Sequence, residues 1–386
     1  MTDILDAEIE PADSSDPEFE DVSGYSRGRE IAVVVSLYLS CIVVAMVISA
    51  ILVSATGGSW QAVFSALLDG SLRAPGRWGT TIGIAIPLVI VALGTAINGR
   101  AGLVNIGQEG QLLMGAAFAT YVGMWMGGPG PLIVIVLLLA GIVGGAIWSG
   151  ITAGLLYWRK VPEVLSTLLL ITVASQLTGY ALKVEWLLLA PFRADRSVRN
   201  QVSEQLANNT RMPRVTIFGN TFPISAFFVV AMAIIVFFLF RRTVWGFRLQ
   251  MLGRNKMTAR RAGVSNVKYG MGAMLISGGC AGLAGAMMLS GGDFGNYRFT
   301  PGFSSNIGWE GLLVALVVRQ HPLFIVPMAL TLAGIRTGSG FLAATGVERE
   351  ISQVVQALLI LALLLPPAIL FVRDRRRALA ATRART

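Results

Sequence analysis

Long apolar stretches, separated by short polar or basic breaks, run along nearly the whole chain after residue 30. A helix needs about 20 residues to cross roughly 30 Å of hydrocarbon. Read at that length, the pattern predicts about ten membrane-spanning helices: 31–53, 78–98, 104–126, 131–156, 163–186, 222–240, 269–290, 308–319, 323–337 and 352–372. The eighth and ninth are short. They fit either a tilted pair or a re-entrant hairpin, since irregular backbone survives at membrane depth only where protein or water covers it. The fold class that follows is an all-α polytopic membrane protein.

Composition agrees with the pattern. The chain has 386 residues, 54% hydrophobic and only 13% charged, with a mean hydropathy of +0.67, whereas soluble domains are about one quarter charged. That balance argues against a soluble enzyme. Cys41 and Cys280 both fall inside apolar runs and read as small buried hydrophobes. The lone histidine, His321, cannot build a metal site by itself.

The net charge of +10 conceals an asymmetry. Residues 1–21 hold nine of the 21 acids and no base, leaving 31 bases against 12 acids in the rest of the chain. The acidic start predicts a disordered cytoplasmic tail over residues 1–28, and no signal peptide, which would need a basic start. The bases elsewhere lie between apolar spans, where they set topology and do not argue for nucleic acid. Segment 241–268 carries eight bases and no acid, and the tail 373–386 carries six bases against Asp374, so both are predicted to be cytoplasmic. Ten spans with both termini cytoplasmic satisfy this, and place Arg27, Arg29, Arg100, Arg159 and Lys160 on the same side. The linker 187–221 is then external, and the transmembrane domain runs from 29 to 372. Trp78, Trp125, Trp158, Trp186 and Trp245 fall near span ends, as interface anchors do. Five spans on each side of the linker would run in opposite directions, the geometry of an inverted repeat. Its sequence support is the pair of Ala-Gly-Leu segments at 101–103 and 281–283.

Three segments carry candidate chemistry. In 99–118, GRAGLVNIGQEGQLLMGAAF, Asn105, Gln108, Glu109 and Gln111 sit among glycines where an apolar helix begins. An ionisable group at membrane depth is a functional hypothesis by default, so these residues either line a pathway or form a structural knot, with Glu109 paired to Arg100, capping a helix start or sitting simply at the interface. In 246–263, GFRLQMLGRNKMTARRAG, a short basic helix with small residues is too polar to insert. It is either a docking surface or a solvated loop drawn to anionic lipid. In 302–322, Glu310 opens a short apolar run that Pro322 ends. It faces a pathway or serves as a helix-end carboxylate. The glycine runs 141–145 and 277–286 suit close helix packing. No GxxxxGK[ST], HExxH or GxSxG motif occurs, so neither ATP binding nor intramembrane catalysis is expected here.

Over about 31–372 the chain resembles the permease subunits of ABC importers of the branched-chain amino acid and simple-sugar permease family, most of all the longer permease of nucleoside importers. The stretch 99–118 looks like that family's glycine-rich "VNIG-x-EGQ" segment, and 253–263 is similar to its "G-x-N-x-x-A-A-R-x-A-G" segment; Gly308–Pro322 also fits. Thr258, Pro162, Ile171 and Val318 depart from the usual pattern, while Glu163 keeps it. The resemblance implies a transport subunit, not an enzyme, in a bacterial plasma membrane. It would work with a second, paralogous permease chain, cytoplasmic ATPase subunits that hold ATP and Mg, and a lipid-anchored substrate-binding protein. No cofactor or metal is implied for this chain. The candidate substrate pathway, on the residue reading above, is Asn105, Gln108, Glu109, Gln111 and Glu310. The ATPase coupling segment would use Arg254, Asn255, Ala259, Arg260, Arg261, Ala262 and Gly263. Sugars or branched-chain amino acids are alternative substrates, and an ion-coupled secondary transporter is the alternative class.

Overall fold

The structure, a computed structural model, describes residues 23–55, 57, 59–191, 201–340 and, apart from 364, 367 and 371, 354–373. Most of the expected acidic tail and all but the first residue of the expected basic one therefore lie outside the described residues. In chain order the elements are α1 (Ser23–Ala55), α2 (Trp60–Leu68), α3 (Arg77–Arg100), α4 (Gln108–Trp125), α5 (Gly130–Arg159), α6 (Glu163–Ala181), β1 (Arg214–Ile217), β2 (Asn220–Pro223), α7 (Ser225–Arg242), α8 (Val244–Arg254), α9 (Lys256–Arg261), α10 (Asn266–Gly291), α11 (Ile307–Val317), α12 (Pro322–Ser339) and α13 (Val354–Leu370). Helix α1 begins at Ser23, inside the stretch expected to be tail.

Among the described residues, seven helices are long and apolar enough to cross a membrane: α3, α5, α6, α7, α10, α12 and the Ser36–Ala55 part of α1. The chain is a polytopic helical membrane protein. Helix α4 has the length, but Gln108, Glu109 and Gln111 make its first turn polar. Helix α11 has only 11 residues. The ninth expected span is a full 18-residue helix, α12, so the two short spans are not a matched pair.

Helices α3 and α10 form the centre, with 83% and 78% of their apolar windows buried. Small residues let the others close on them. Gly115 of α4 and Gly141 and Gly145 of α5 lie against the backbone of Gly282 and Gly278 of α10, leaving no room for a Cβ. This is the close packing the glycine runs predicted. The two Ala-Gly-Leu segments are not equivalent, however: 101–103 is the turn after α3, and 281–283 is the middle of α10.

Helix α11 begins at depth. Its Gly311 packs on Val91, near the middle of α3, and the Gln320 side chain beyond its end meets Gly99, near the end of α3. It therefore starts about halfway along α3 and runs parallel to it. Irregular backbone, 292–306, leads into it from the end of α10. That segment is covered by the linker: Ser203 N donates to Phe299 O (2.9 Å), Leu206 N to Tyr297 O (3.0 Å) and Met212 N to Ser290 O (2.9 Å). The linker also holds a two-stranded antiparallel ribbon, β1–β2, that the all-helical expectation did not include. Its loop residues Phe218 and Gly219 both have positive φ (49° and 75°), the geometry of a tight two-residue hairpin turn. Arg214 ties the ribbon down, donating to Gly291 O (2.7 Å) and to Asp293 Oδ1 (3.0 Å).

Candidate functional site

The polar residues at the start of α4 are brought together as a closed network. Asn105 and Gln111 pair through both amides, Nδ2 to Oε1 at 2.9 Å and Nε2 to Oδ1 at 3.0 Å. Asn105 Oδ1 also accepts from Gly107 N (3.1 Å), which turns the chain into α4, and Asn105 Nδ2 donates to Ser277 Oγ of α10 (3.1 Å). The Gln108 amide lies 2.7 Å from Thr95 Oγ1 of α3 and 3.2 Å from Ser277 Oγ. All five side chains are buried. Gly107 and Gly110 pack on Thr167 and Ile171 of α6, so this knot joins four helices. Such groups must find partners when buried, and these do.

Glu109 caps a helix, but not its own. Oε2 accepts from Gly308 N at 2.7 Å and Oε1 from Asn306 N at 3.2 Å, so its carboxylate sits on the exposed amides of the first turn of α11. Helices α4 and α11 point their N-termini at each other. The carboxylate lies where two positive helix ends meet. Arg100 is not its partner. The capping alternative is the one seen.

Glu310, one turn into α11, accepts from Arg336 Nη1 of α12 at 2.8 Å, and Arg336 Nη2 donates to Ser305 O at 2.8 Å. Arg336 was not singled out in the sequence. Its signal was an arginine in the last turn of an apolar helix, a position that demands a partner.

The basic segment forms two helices. Asn255 Oδ1 accepts from Met257 N (2.9 Å) and Thr258 N (3.1 Å), capping α9, so its side chain is committed within the chain. Ala259 is fully buried, correcting the expectation that it faces a partner. Arg254, Arg260, Arg261, Ala262 and Gly263 are exposed, as is Met257 at 67%. Gly253 lies in backbone contact with Arg100 and Gly102, which has φ +71°, so α8 ends against the turn that leads to Asn105.

A further polar surface escaped the sequence reading. On α6, Thr172, Ser175, Gln176 and Gly179 follow the i, i+3, i+4, i+7 spacing of one helix face. The side chains of Thr172, Ser175 and Gln176 are exposed and make no hydrogen bond among the described residues. The opposite face, through Ala174 and Thr178, is buried.

The model of the family described as "Branched-chain amino acid transport system / permease component" matches residues 79–364. The chain belongs to this family. A guanosine ABC transporter permease of Bacillus subtilis is 29% identical over 87% of this chain and 95% of its own length. A glucose ABC transporter permease of Haloferax volcanii is 30% identical over 72% of this chain and 74% of its own. A second guanosine ABC transporter permease of Bacillus subtilis is 26% identical over 65% and 77%. As a permease of this family, the chain is a transport subunit. The matched residues include the α4 knot, the α11 cap and the exposed α9.

Proposed function

We propose that this permease is the membrane-spanning subunit of an ATP-driven importer of nucleosides in a bacterial plasma membrane, with ten crossings and both termini cytoplasmic. The observation that carries the ATP-driven part is α9: a short, basic, self-capped helix, exposed apart from Ala259 and rooted by Gly253 against the turn after α3. Arg254, Arg260, Arg261, Ala262 and Gly263, with Met257, would meet a cytoplasmic ATPase subunit that itself holds ATP and Mg. A second permease chain fits the pair of guanosine permeases among the relatives. A substrate-binding protein, lipid-anchored, would deliver to the face capped by the linker.

The geometry suggests a route for coupling. Movement of α9 would reach Gly253, then Gly102, then the Asn105–Gln111 knot and, through Glu109, the start of α11. Gly253 touches Gly102 and Glu109 holds Gly308, the steps between them being short stretches of chain, so a shift at the basic end would be passed toward the half-depth helix. ATP would act by binding one arrangement better than the other. The polar face of α6 supports a solvated wall, because a glutamine facing acyl chains would have no partner. Asn105, Gln108 and Gln111 would then support this wall from behind, with Glu109 and Glu310 placing α11 beside it.

The test is uptake of labelled guanosine and uridine by cells with and without the gene, with excess ribose or leucine as competitor. Gene-dependent uptake that neither competes with supports nucleoside import. Competition by ribose would move the substrate to sugars, the alternative that the glucose permease relative favours. Uptake that survives loss of the ATPase subunit and collapses with the ion gradient would overturn the ATP-driven reading.

A further inference from the structure

One corner of the molecule gathers positive charge. The ends of α3 and α7, the turn between α11 and α12 and the end of α8 meet there. Arg100 closes α3, with its guanidinium carbon 5.1 Å over the Phe240 ring. Arg241, in the last turn of α7, lies 5.1 Å over Phe237. The His321 ring packs 5.9 Å from Phe237 and 4.7 Å from Phe324. Arg254 follows Gly253, which touches the Arg100 backbone. Segments 94–108, 232–270 and 311–339, which build this corner, contain no Asp or Glu. Two nitrogens there lack a partner: Arg100 Nε and His321 Nδ1 are buried with no hydrogen bond among the described residues. Burial, and then the Arg100 and Arg241 guanidiniums, hold His321 below the ordinary imidazole value, which keeps it neutral beside two cations.

We propose that this corner binds the phosphate of an anionic phospholipid, its headgroup between Arg100, Arg241 and His321. Guanidinium matches a phosphodiester in shape and charge, and buried donors of this kind need an acceptor. The lipid source is favoured over free phosphate by what flanks the corner. Phe238 and Phe324 are 52% and 61% exposed beside it, on the outward sides of α7 and α12. Acyl chains can lie along those rings while the phosphate sits at the helix ends, the arrangement of basic interhelical lipid pockets. The inference is independent of which solute the permease carries.

The test uses the full-length chain purified from membranes in mild detergent, stripped of lipid and titrated with phosphatidylglycerol or phosphatidylcholine, with bound lipid counted by native mass spectrometry. Wild type should retain phosphatidylglycerol over phosphatidylcholine. Arg241→Gln, at an exposed site, should weaken that retention several-fold, and Arg100→Gln with Arg241→Gln by about tenfold or more. Arg159→Gln, an exposed arginine at the end of α5, should change nothing. Equal retention by wild type and the double variant overturns the proposal. So does displacement of phosphatidylglycerol by millimolar inorganic phosphate, which would assign a free anion site. Retention that rises several-fold on removing residues 1–21 would make the acidic tail the native occupant and overturn the lipid assignment.

Discussion

The carboxylate of Glu109 reaches the first turn of a helix 199 residues later in the chain, accepting from Gly308 N at 2.7 Å. No side chain fits at Gly308, where a Cβ would collide with the Glu109 backbone. The contact joins the two half-depth helix starts, so Glu109 holds α11 in place. Glu109→Gln presents an amide N–H₂ to one of two backbone donors, Asn306 N or Gly308 N, and so leaves one of them without an acceptor. It should lower thermal stability by about 1–3 kcal/mol, read as a lower unfolding temperature of the detergent-purified chain. Loss of transport with an unchanged unfolding temperature would instead put Glu109 in contact with solute.

Glu310 and Arg336 test a second link of α11. Their side chains are only 11% and 19% exposed, and Glu310 Oε2 is buried without a partner. Removing one member strands the other. Arg336→Gln should therefore destabilise by about 3–5 kcal/mol, whereas joint replacement by Glu310→Gln and Arg336→Met should recover most of that loss. A double-mutant cycle on unfolding temperatures measures the difference. Additive effects would mean that the pair contributes nothing beyond its separate side chains.

Asp293 gives a pH dependence. Burial raises its carboxyl above the ordinary 3.8, and the Arg214 guanidinium only partly offsets this. The folded chain thus holds this proton to a higher pH than the unfolded chain does. The group's stabilising contribution is complete below 3.8 and is lost as pH rises through the raised value. Asp293→Asn removes that loss while keeping an acceptor for Arg214. The variant should gain stability relative to wild type as pH climbs upward from 3.8 through the acidic range, read as the difference in unfolding temperature. A constant difference across that range would refute the assignment.

Hydropathy alone located the span positions, because length and apolarity are local properties. Helix α5 was expected over 131–156 and runs Gly130–Arg159; α10 was expected over 269–290 and runs Asn266–Gly291. The start of α4 slipped from 104 to Gln108 because Asn105 turns the chain through its bond to Gly107 N, a preference that an apolar window does not register. The ribbon escaped notice because its turn is Phe218–Gly219, without the Asn-Gly pair that marks such hairpins. The carboxylates at 109 and 310 were legible as sites of consequence. Their partners, Gly308 and Arg336, were not, since they are set by the meeting of distant helices. The buried side of α9 was hidden for the same reason: Ala259 is covered by the chain's own fold.

The exposed polar face of α6 makes the sharpest claim about the solute route. Thr172, Ser175 and Gln176 have no hydrogen-bond partner among the described residues, while Val173 and Leu177, further round the helix, are exposed at 45% and 46%. In lipid, unpartnered polar groups are costly and leucine is not. Helix α6 should therefore present water to one face and hydrocarbon to another. In a background of Cys41→Ala and Cys280→Ala, Gln176→Cys and Thr172→Cys should react with a membrane-impermeant thiol reagent in intact membranes, about tenfold faster than Leu177→Cys, because the thiolate forms only where water reaches it. A transported nucleoside should slow the reaction at Gln176→Cys and leave Leu177→Cys unchanged. Reaction without nucleoside protection would keep the solvated wall and redirect the search for the solute. Equal, slow reaction at all three positions would mean that the partner permease, packed on this face, excludes water, and that the path runs elsewhere.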